Sequence, residues 1–264
     1  MAAAQKLRLV FLGTNGWYAT PLANTVCALI ETPKRYIVLD AGDGIWRLDK
    51  YVKDGRPVDI FLSHFHLDHT GGLHIQPKFR MMKNKFRIFG QPGTKKALGI
   101  LVNNPFTASY ELLGAQGFDV QINELHEGDN RIDEYSVTCA PLVHADPCWG
   151  FRFEWKLDDG KKTVLSYCTD TGPCENIGRL SKKADVLITE CSLSPGSALT
   201  PSWPHLNPEA AAQAARDAGV KKLYLTHFAS NKYETKESRL EAQAAARKIF
   251  PSSFAAMDEM EAEV

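Results

Sequence analysis

Directly after the apolar run Val58–Leu62 the chain reads His64-Phe65-His66-Leu67-Asp68-His69, three imidazoles and a carboxylate within six positions. Crowding such groups is unfavourable unless a divalent cation offsets it, and neutral imidazole nitrogen and carboxylate oxygen are good ligands for zinc-like ions. The apolar run reads as a buried strand, so the cluster occupies the turn that follows it. In that setting His64 and His66 share a face, because alternate residues of an extended segment point the same way. Asp68 and His69 lie beyond the turn and reach toward a second ion. The motif supplies only half of a two-metal site, which constrains the fold: other strand ends must deliver the remaining ligands. A tag or surface accident fits poorly, since the cluster is internal and runs on into Thr70-Gly71-Gly72-Leu73, small residues that let the backbone pass close to a bound group.

Three later residues sit where such ligands are needed. His144 follows the strand-like run Tyr135–Leu142, in Val-His-Ala-Asp; Asp170 follows Thr163–Cys168, in Cys-Thr-Asp-Thr-Gly; His227 follows Lys222–Thr226. Each alone reads more readily as a hydrogen-bonded loop residue. Together they form the set that a dinuclear centre lacks. Two nearby ions activate a water and clamp a substrate oxygen, so no serine or cysteine nucleophile is required. Asp68 or Asp170, touching that water, would orient it or accept its proton.

At 264 residues the chain is long enough for one sizeable core, and no low-complexity linker divides it. A single domain over 1–264 is expected. Strand-like runs cover 7–13, 25–31, 36–40, 59–63, 86–90, 119–125, 135–142, 149–155, 163–168, 186–189 and 222–226, with a turn at Asp158-Asp159-Gly160. Helical patterns cover 44–53, 93–102, 174–181, 208–218 and 236–249. The helix from Pro208 has a clear start, with Asn207 as N-cap and Glu209 in the first turn. Strands in blocks with helices set apart point to an α/β protein of the α+β kind. Its expected form is a four-layer αββα sandwich, not a doubly wound sheet.

Lys plus Arg and Asp plus Glu each number 31, so the formal net charge is zero and there is no global footprint for a long nucleic acid. The apolar run Leu7–Leu12 is too short to span a membrane, and no secretory cleavage pattern follows it. Six cysteines show no CxxC pair and no regular spacing, which argues against a disulfide framework or a structural zinc. A reduced, cytoplasmic protein without a membrane partner is expected.

The order HxHxDH, then a His, an Asp and a final His, resembles the metallo-β-lactamase superfamily over nearly the whole chain. The resemblance implies two divalent ions, zinc first, with manganese or iron also compatible. It implies that His64, His66 and His144 hold one ion and that Asp68, His69 and His227 hold the other. Asp170 would bridge them. Asp40, in Val-Leu-Asp-Ala-Gly, would support the HxHxDH loop.

Within the superfamily, Glu190-Cys-Ser followed by Pro204-His-Leu-Asn-Pro is similar to ribonuclease Z and related phosphodiesterases, where a Glu pairs with a His ahead of a helix. Glu190 and His205 stand at those places. A carboxylate that holds an imidazole in one tautomer makes it a proton donor for an alkoxide leaving group. Phe11-Leu-Gly-Thr-Asn-Gly-Trp17 is also similar to the ribonuclease Z start.

Two departures shape the substrate expectation. Ribonuclease Z enzymes carry a Gly/Pro-rich tRNA-gripping arm between the third-motif His and the bridging Asp, whereas only residues 145 to 169 intervene here, and two strands consume them. His-Leu-Asn also replaces the His-Ser-Thr of the tRNA enzymes. It lies closer to a cyclic phosphodiesterase of phosphonate breakdown, whose Cys-rich zinc segment this chain lacks. A small, cyclic or similar phosphodiester is therefore the expected substrate. A tRNA 3′ endonuclease or a lactone or carboxylic ester hydrolase stands as the alternative, tRNA is a disfavoured partner, and the resemblance implies a homodimer. Trp17, Trp149, Trp203 and Phe228 flank ligand-bearing loops and suit either stacking on a base or packing; Arg47, Lys78 and Arg80 suit either a phosphate or the solvated surface.

Overall fold

The computed structural model describes residues 7–156 and 160–264. Asp158 and Asp159 of the expected turn thus lie outside the described residues. Apolar runs that are continuous instead of alternating call for strands buried on both faces. Strand β1 (Arg8–Gly13) shows this: Leu9 and Phe11 enter one core, Val10 and Leu12 another, all fully buried.

The first sheet runs β16 (Glu261–Glu263), β1, β3 (Cys27–Glu31), β4 (Tyr36–Leu39), β5 (Val58–Leu62), β6 (Phe86–Gly90) and β7 (Val120–Glu124). The second runs β15 (Ser253–Ala255), β13 (Lys222–Thr226), β12 (Val186–Glu190), β11 (Lys162–Cys168), β10 (Cys148–Lys156), β9 (Tyr135–Leu142) and β8 (Gly128–Ile132). A small ribbon pairs β2 (Asn15–Gly16) with β14 (Phe228–Ala229). Each large sheet is antiparallel on one side and parallel on the other. The switch falls at β4 in the first sheet and at β11 in the second.

Parallel neighbours need crossovers, and helices supply them. α1 (Leu48–Tyr51), α2 (Leu67–Thr70), α3 (Gln76–Arg80), α4 (Thr94–Leu101) and α5 (Tyr110–Ala115) serve the first sheet. α6 (Glu175–Ser181), α7 (Pro208–Ala218) and α8 (Lys236–Arg247) serve the second. An aromatic core fills the space between the sheets, where Phe61 stacks on Phe89 at 4.8 Å and meets Phe153 edge-on at 4.9 Å. Leu48, Leu73, Phe79 and Leu98 cover one outer face; Ile177, Ala211, Ala215 and Ala242 cover the other. The result is the expected αββα sandwich.

Local signals explain most boundaries. Asn207 Oδ1 accepts the Ala210 N–H at 2.8 Å, Pro208 opens α7, and Gly219 ends it in the left-handed region at φ 67°. The expected helix over 44–53 instead splits into a 3-10 turn, Asp43–Arg47, and the single turn of α1. β2, β14, β15 and β16 are too short, and β8 too polar, for a two-residue period to show. Among the described residues no helix is long and apolar enough to cross a membrane.

Candidate metal centre

The chemically telling residues all leave strand ends. Asp40 follows β4, the His64–His69 loop follows β5, His144 follows β9, Asp170 follows β11, Glu190 ends β12 and His227 follows β13. Asp40, Asp170, His227 and Trp17 adopt left-handed backbone, with φ of 56°, 50°, 52° and 73°. Asp and His tolerate that region better than most residues, whereas a Trp there is an outlier. Such strain gathers where the surrounding structure over-determines a geometry.

Asp40 organises the first part of the centre. Its Oδ1 accepts the Ser63 N–H at 2.8 Å. Its Oδ2 accepts Ser63 Oγ at 2.9 Å, Tyr167 OH at 2.7 Å and His69 Nδ1 at 2.8 Å. With its hydroxyl proton committed to Asp40, Ser63 Oγ accepts from His64 Nδ1 at 3.1 Å. One buried carboxylate therefore fixes two tautomers, directly for His69 and through Ser63 for His64. In both rings the bare nitrogen is left to be Nε2, the arrangement a ligand needs.

Those bare nitrogens converge on Asp170. His64 Nε2 and His69 Nε2 each lie 3.1 Å from Asp170 Oδ2, and His227 Nδ1 lies 3.0 Å from Oδ1. Among the described residues, three groups have donor atoms within 4.8 Å of one another: His64, His66, His144 and Asp170; Asp68, His69, Asp170 and His227; and Asp170, Glu190 and His205, the first two being the expected ligand sets. Within them, His64 Nε2 and Asp170 Oδ1 are buried without a hydrogen-bond partner. Orphaned buried polar atoms are rare and call for an explanation; imidazole and carboxylate donors converging on a gap fit divalent cations, with Asp170 common to both ligand sets.

Electrostatics agree with that fit. Burial and the nearby His69 push His64 down to about 4, so it is neutral at pH 7. Burial opposes ionisation of Asp68 and Asp170, yet the surrounding imidazoles hold both carboxyls below their ordinary range. His69 is buried, but Asp40, Asp68 and Asp170 raise it well above its ordinary value. The carboxylates that draw a proton there would equally draw a metal cation.

The third element is Glu190 with His205. Glu190 is fully buried and accepts the N–H groups of Thr171 at 2.5 Å, Leu206 at 3.1 Å and Ser192 at 3.3 Å. His205 Nδ1 donates to its Oε1 at 2.9 Å. Burial lowers the proton affinity of His205, but the Glu190 hydrogen bond and charge outweigh it and the net shift is upward. The ring lies 5.9 Å from that of His144 and 6.5 Å from that of His227.

The seven candidate metal ligands, with Glu190 and His205, are thus brought to one end of the sandwich. Asp146, Ser63, Tyr167 and Ser192 were not expected. Asp146 Oδ2 accepts from His66 Nε2 at 2.7 Å, and Ser192 Oγ lies 3.1 Å from His227 Nδ1. The role expected of Gly72 is corrected: a Cβ there would meet Gly42 O at 2.3 Å, so it packs the motif helix against the Asp40 loop and not against a bound group. Of the four aromatics, Phe228 is core and Trp149 packs against the core, whereas Trp17 and Trp203 are 67% and 63% exposed. Of the two roles open to Arg47, Lys78 and Arg80, the fold gives them structural partners and not a phosphate site: Arg47 on Asp258, Lys78 on Asp49, Arg80 on Gln116. Two concavities of about 510 and 530 Å³ lie on other surfaces and include none of the residues gathered at the centre.

Residues 35–228 match the family model described as a beta-lactamase superfamily domain. Ribonuclease Z of Bacillus licheniformis is 28% identical over 314 aligned positions, covering 98% of this chain and 99% of that one. The metallo-beta-lactamase fold protein YhfI from Bacillus subtilis superposes with a TM-score of 0.78 at 18% identity, over 98% of this chain and 100% of that one. The short form of human tRNase Z gives 0.70 at 20% identity, over 97% and 98%. The chain therefore belongs to the beta-lactamase superfamily domain family, within its ribonuclease Z-like branch of metal-dependent hydrolases.

Proposed function

We propose that this chain hydrolyses small phosphodiesters with two divalent ions, zinc being the first candidate. His64, His66 and His144 would hold one ion, Asp68, His69 and His227 the other, with Asp170 between them. Ions bound there supply Lewis acidity and an activated water nucleophile. Asp68, whose Oδ2 accepts the Trp17 N–H at 2.7 Å, orients that water or takes its proton.

The Glu190–His205 pair carries the phosphodiester assignment. A buried carboxylate holds Nδ1 and raises the proton affinity of the ring. His205 then serves as the acid that protonates an alkoxide leaving group. The small-substrate part of the proposal is supported by what lies between His144 and Asp170. That stretch is taken up by β10 and β11, paired from Phe151 with Tyr167 to Lys156 with Lys162. The Bacillus licheniformis enzyme is aligned over 314 positions against the 264 residues here, so it carries segments that this chain lacks.

A second reading, tRNA 3′ processing, draws on the names of the relatives. Metal-loaded protein tested on bis(p-nitrophenyl) phosphate, cyclic nucleotides, precursor tRNA and a lactone panel separates the readings. Turnover of the small phosphodiesters with none of the tRNA or lactones is the expected pattern; turnover of tRNA alone transfers the assignment to the second reading. The same proposal takes 1–264 as one domain of a cytoplasmic protein, consistent with six free cysteines, and expects a homodimer, which sedimentation reads.

A further inference from the structure

Among the described residues the largest fully buried side chain is a cation, Arg239 of α8. A buried guanidinium is unfavourable unless it is held by partners in fixed geometry; here both Nη atoms are held, and Nε has no hydrogen-bond partner. Its Nη1 donates to Thr14 Oγ1 at 2.7 Å and its Nη2 to Asn15 Oδ1, while its plane lies 4.7 Å from the Phe228 ring. The charge is balanced through Thr14, whose hydroxyl donates to Asp258 Oδ1 at 2.8 Å. Arg47 Nη1 holds the other oxygen of Asp258 at 3.0 Å. Arg239 thus grips both residues after β1, and Asp258 of the C-terminal segment grips the first of them, Thr14.

Those two residues lead into a strap across one side of the metal centre. Asn15 and Gly16 pair with Phe228 and Ala229, the residues that follow His227. Gly16 lies so close that a Cβ there would stand 2.4 Å from His227 Cε1. Trp17, in its left-handed backbone, donates its N–H to Asp68 Oδ2 at 2.7 Å. Ser230 Oγ donates to Gly16 O at 2.7 Å and so ties the strap to the His227 loop. The strap touches Asp68 and His227, and its base rests on Arg239.

We propose that Arg239 is a positioning residue for the Asp68–His69–His227 half of the centre, acting through Thr14 to Trp17. It meets neither metal nor substrate. Its function is to hold the strap so that Asp68 and His227 keep their aim, in the way outer hydrogen bonds orient metal ligands. The inference rests on the two-ion reading for its effect on metal binding, but its effect on the strap can be measured without any ion.

Hydrogen exchange on the metal-free protein tests the strap. R239M is expected to speed exchange of the Trp17 amide by about tenfold or more, while the Ile60 and Phe61 amides of β5 keep wild-type protection. Metal titration against a chelator tests the consequence. R239M is expected to lose about tenfold or more in affinity for one ion and to keep the other, the range known for orienting partners. R239K keeps a cation but not the planar fork and should fall between, and it decides the question if R239M does not fold. Unchanged Trp17 exchange, or equal weakening of both ions, overturns the proposal. A wild-type protein that takes fewer than two ions sinks the two-ion reading, and the Trp17 exchange still judges the strap.

Discussion

Asp40 and Asp170 grip the same imidazole from opposite sides. His69 donates Nδ1 to Asp40 Oδ2 at 2.8 Å and presents Nε2 to Asp170 Oδ2 at 3.1 Å. The two aspartates also occupy equivalent places, each after the strand where its sheet changes from antiparallel to parallel, and each with left-handed backbone. At that switch the connections leave in different directions, which opens a space beyond the strand ends. The centre therefore sits between two similar half-sandwiches, one supplying an orienting carboxylate and the other a ligating one.

Asp40→Asn tests the orienting half. An amide can donate to His69 Nδ1 and permit the wrong tautomer, so divalent metal affinity should fall by about 10- to 100-fold. Chelator competition measures it. A change below about twofold would show that Ser63 and Tyr167 suffice to set the rings.

His205→Ala should slow turnover by about 10²- to 10⁴-fold for a substrate with a poor, alkoxide leaving group. The loss should be far smaller with p-nitrophenolate, which departs without a proton. Glu190→Gln should show the same leaving-group dependence at smaller amplitude. Equal losses across leaving groups would mean that the pair shapes the site and does not transfer a proton.

Gly16→Ala probes the strap from its surface. The added methyl cannot coexist with the His227 ring at 2.4 Å, so ring or loop must move. The expected outcome is weaker binding of one divalent ion with a melting temperature changed by only a few degrees. Two ions held as in the wild type would show that the loop yields at no cost to the centre.

An ion cluster remote from the centre should contribute to acid stability. Asp59 is fully buried in β5 and accepts from Arg35 Nη1 at 2.8 Å, Arg87 Nε at 2.7 Å and Tyr135 OH at 2.8 Å. Asp59→Ala removes the fully buried partner of both guanidiniums and leaves them only Asp133 and Glu134, which lie nearer the surface; it should cost about 3 kcal/mol at pH 7. Beside it, burial pushes the Glu134 carboxyl up, but the Arg35 hydrogen bond prevails and the net shift is downward. A depressed carboxyl contributes stability that is present above its unfolded value, about 4.3, and lost as pH falls through its folded value. Glu134→Gln should therefore flatten the stability profile below about pH 4.3, read by denaturant unfolding at several pH values. An unchanged acid slope would assign the loss to other carboxyls.

The gathering of His64, His66, Asp68, His69, His144, Asp170 and His227 is legible in the sequence because metal chemistry uses residue types that are unfavourable to crowd otherwise. Strand-end position then does the rest. Glu190 and His205 are legible only through the resemblance to ribonuclease Z, since taken alone they read as a strand-end charge and a histidine ahead of a capped helix. The orienting shell is not legible, since Ser63, Tyr167 and Ser192 look like ordinary strand and loop residues until the sheets bring them together. Arg239 reads as one more charge in the Lys-Glu-Ser-Arg start of α8, and only packing reveals its burial. Arg47, Lys78 and Arg80 show the converse: a free cation in the sequence is already paired in the fold.

The most direct measurement is metal content and phosphodiester turnover on one preparation. The account predicts two divalent ions per chain and hydrolysis of bis(p-nitrophenyl) phosphate and a cyclic nucleotide, lost on chelation and restored by adding the ions back. A fully loaded protein that holds two ions and cleaves neither substrate would contradict the phosphodiesterase assignment, and one that cannot hold two ions would contradict the centre itself.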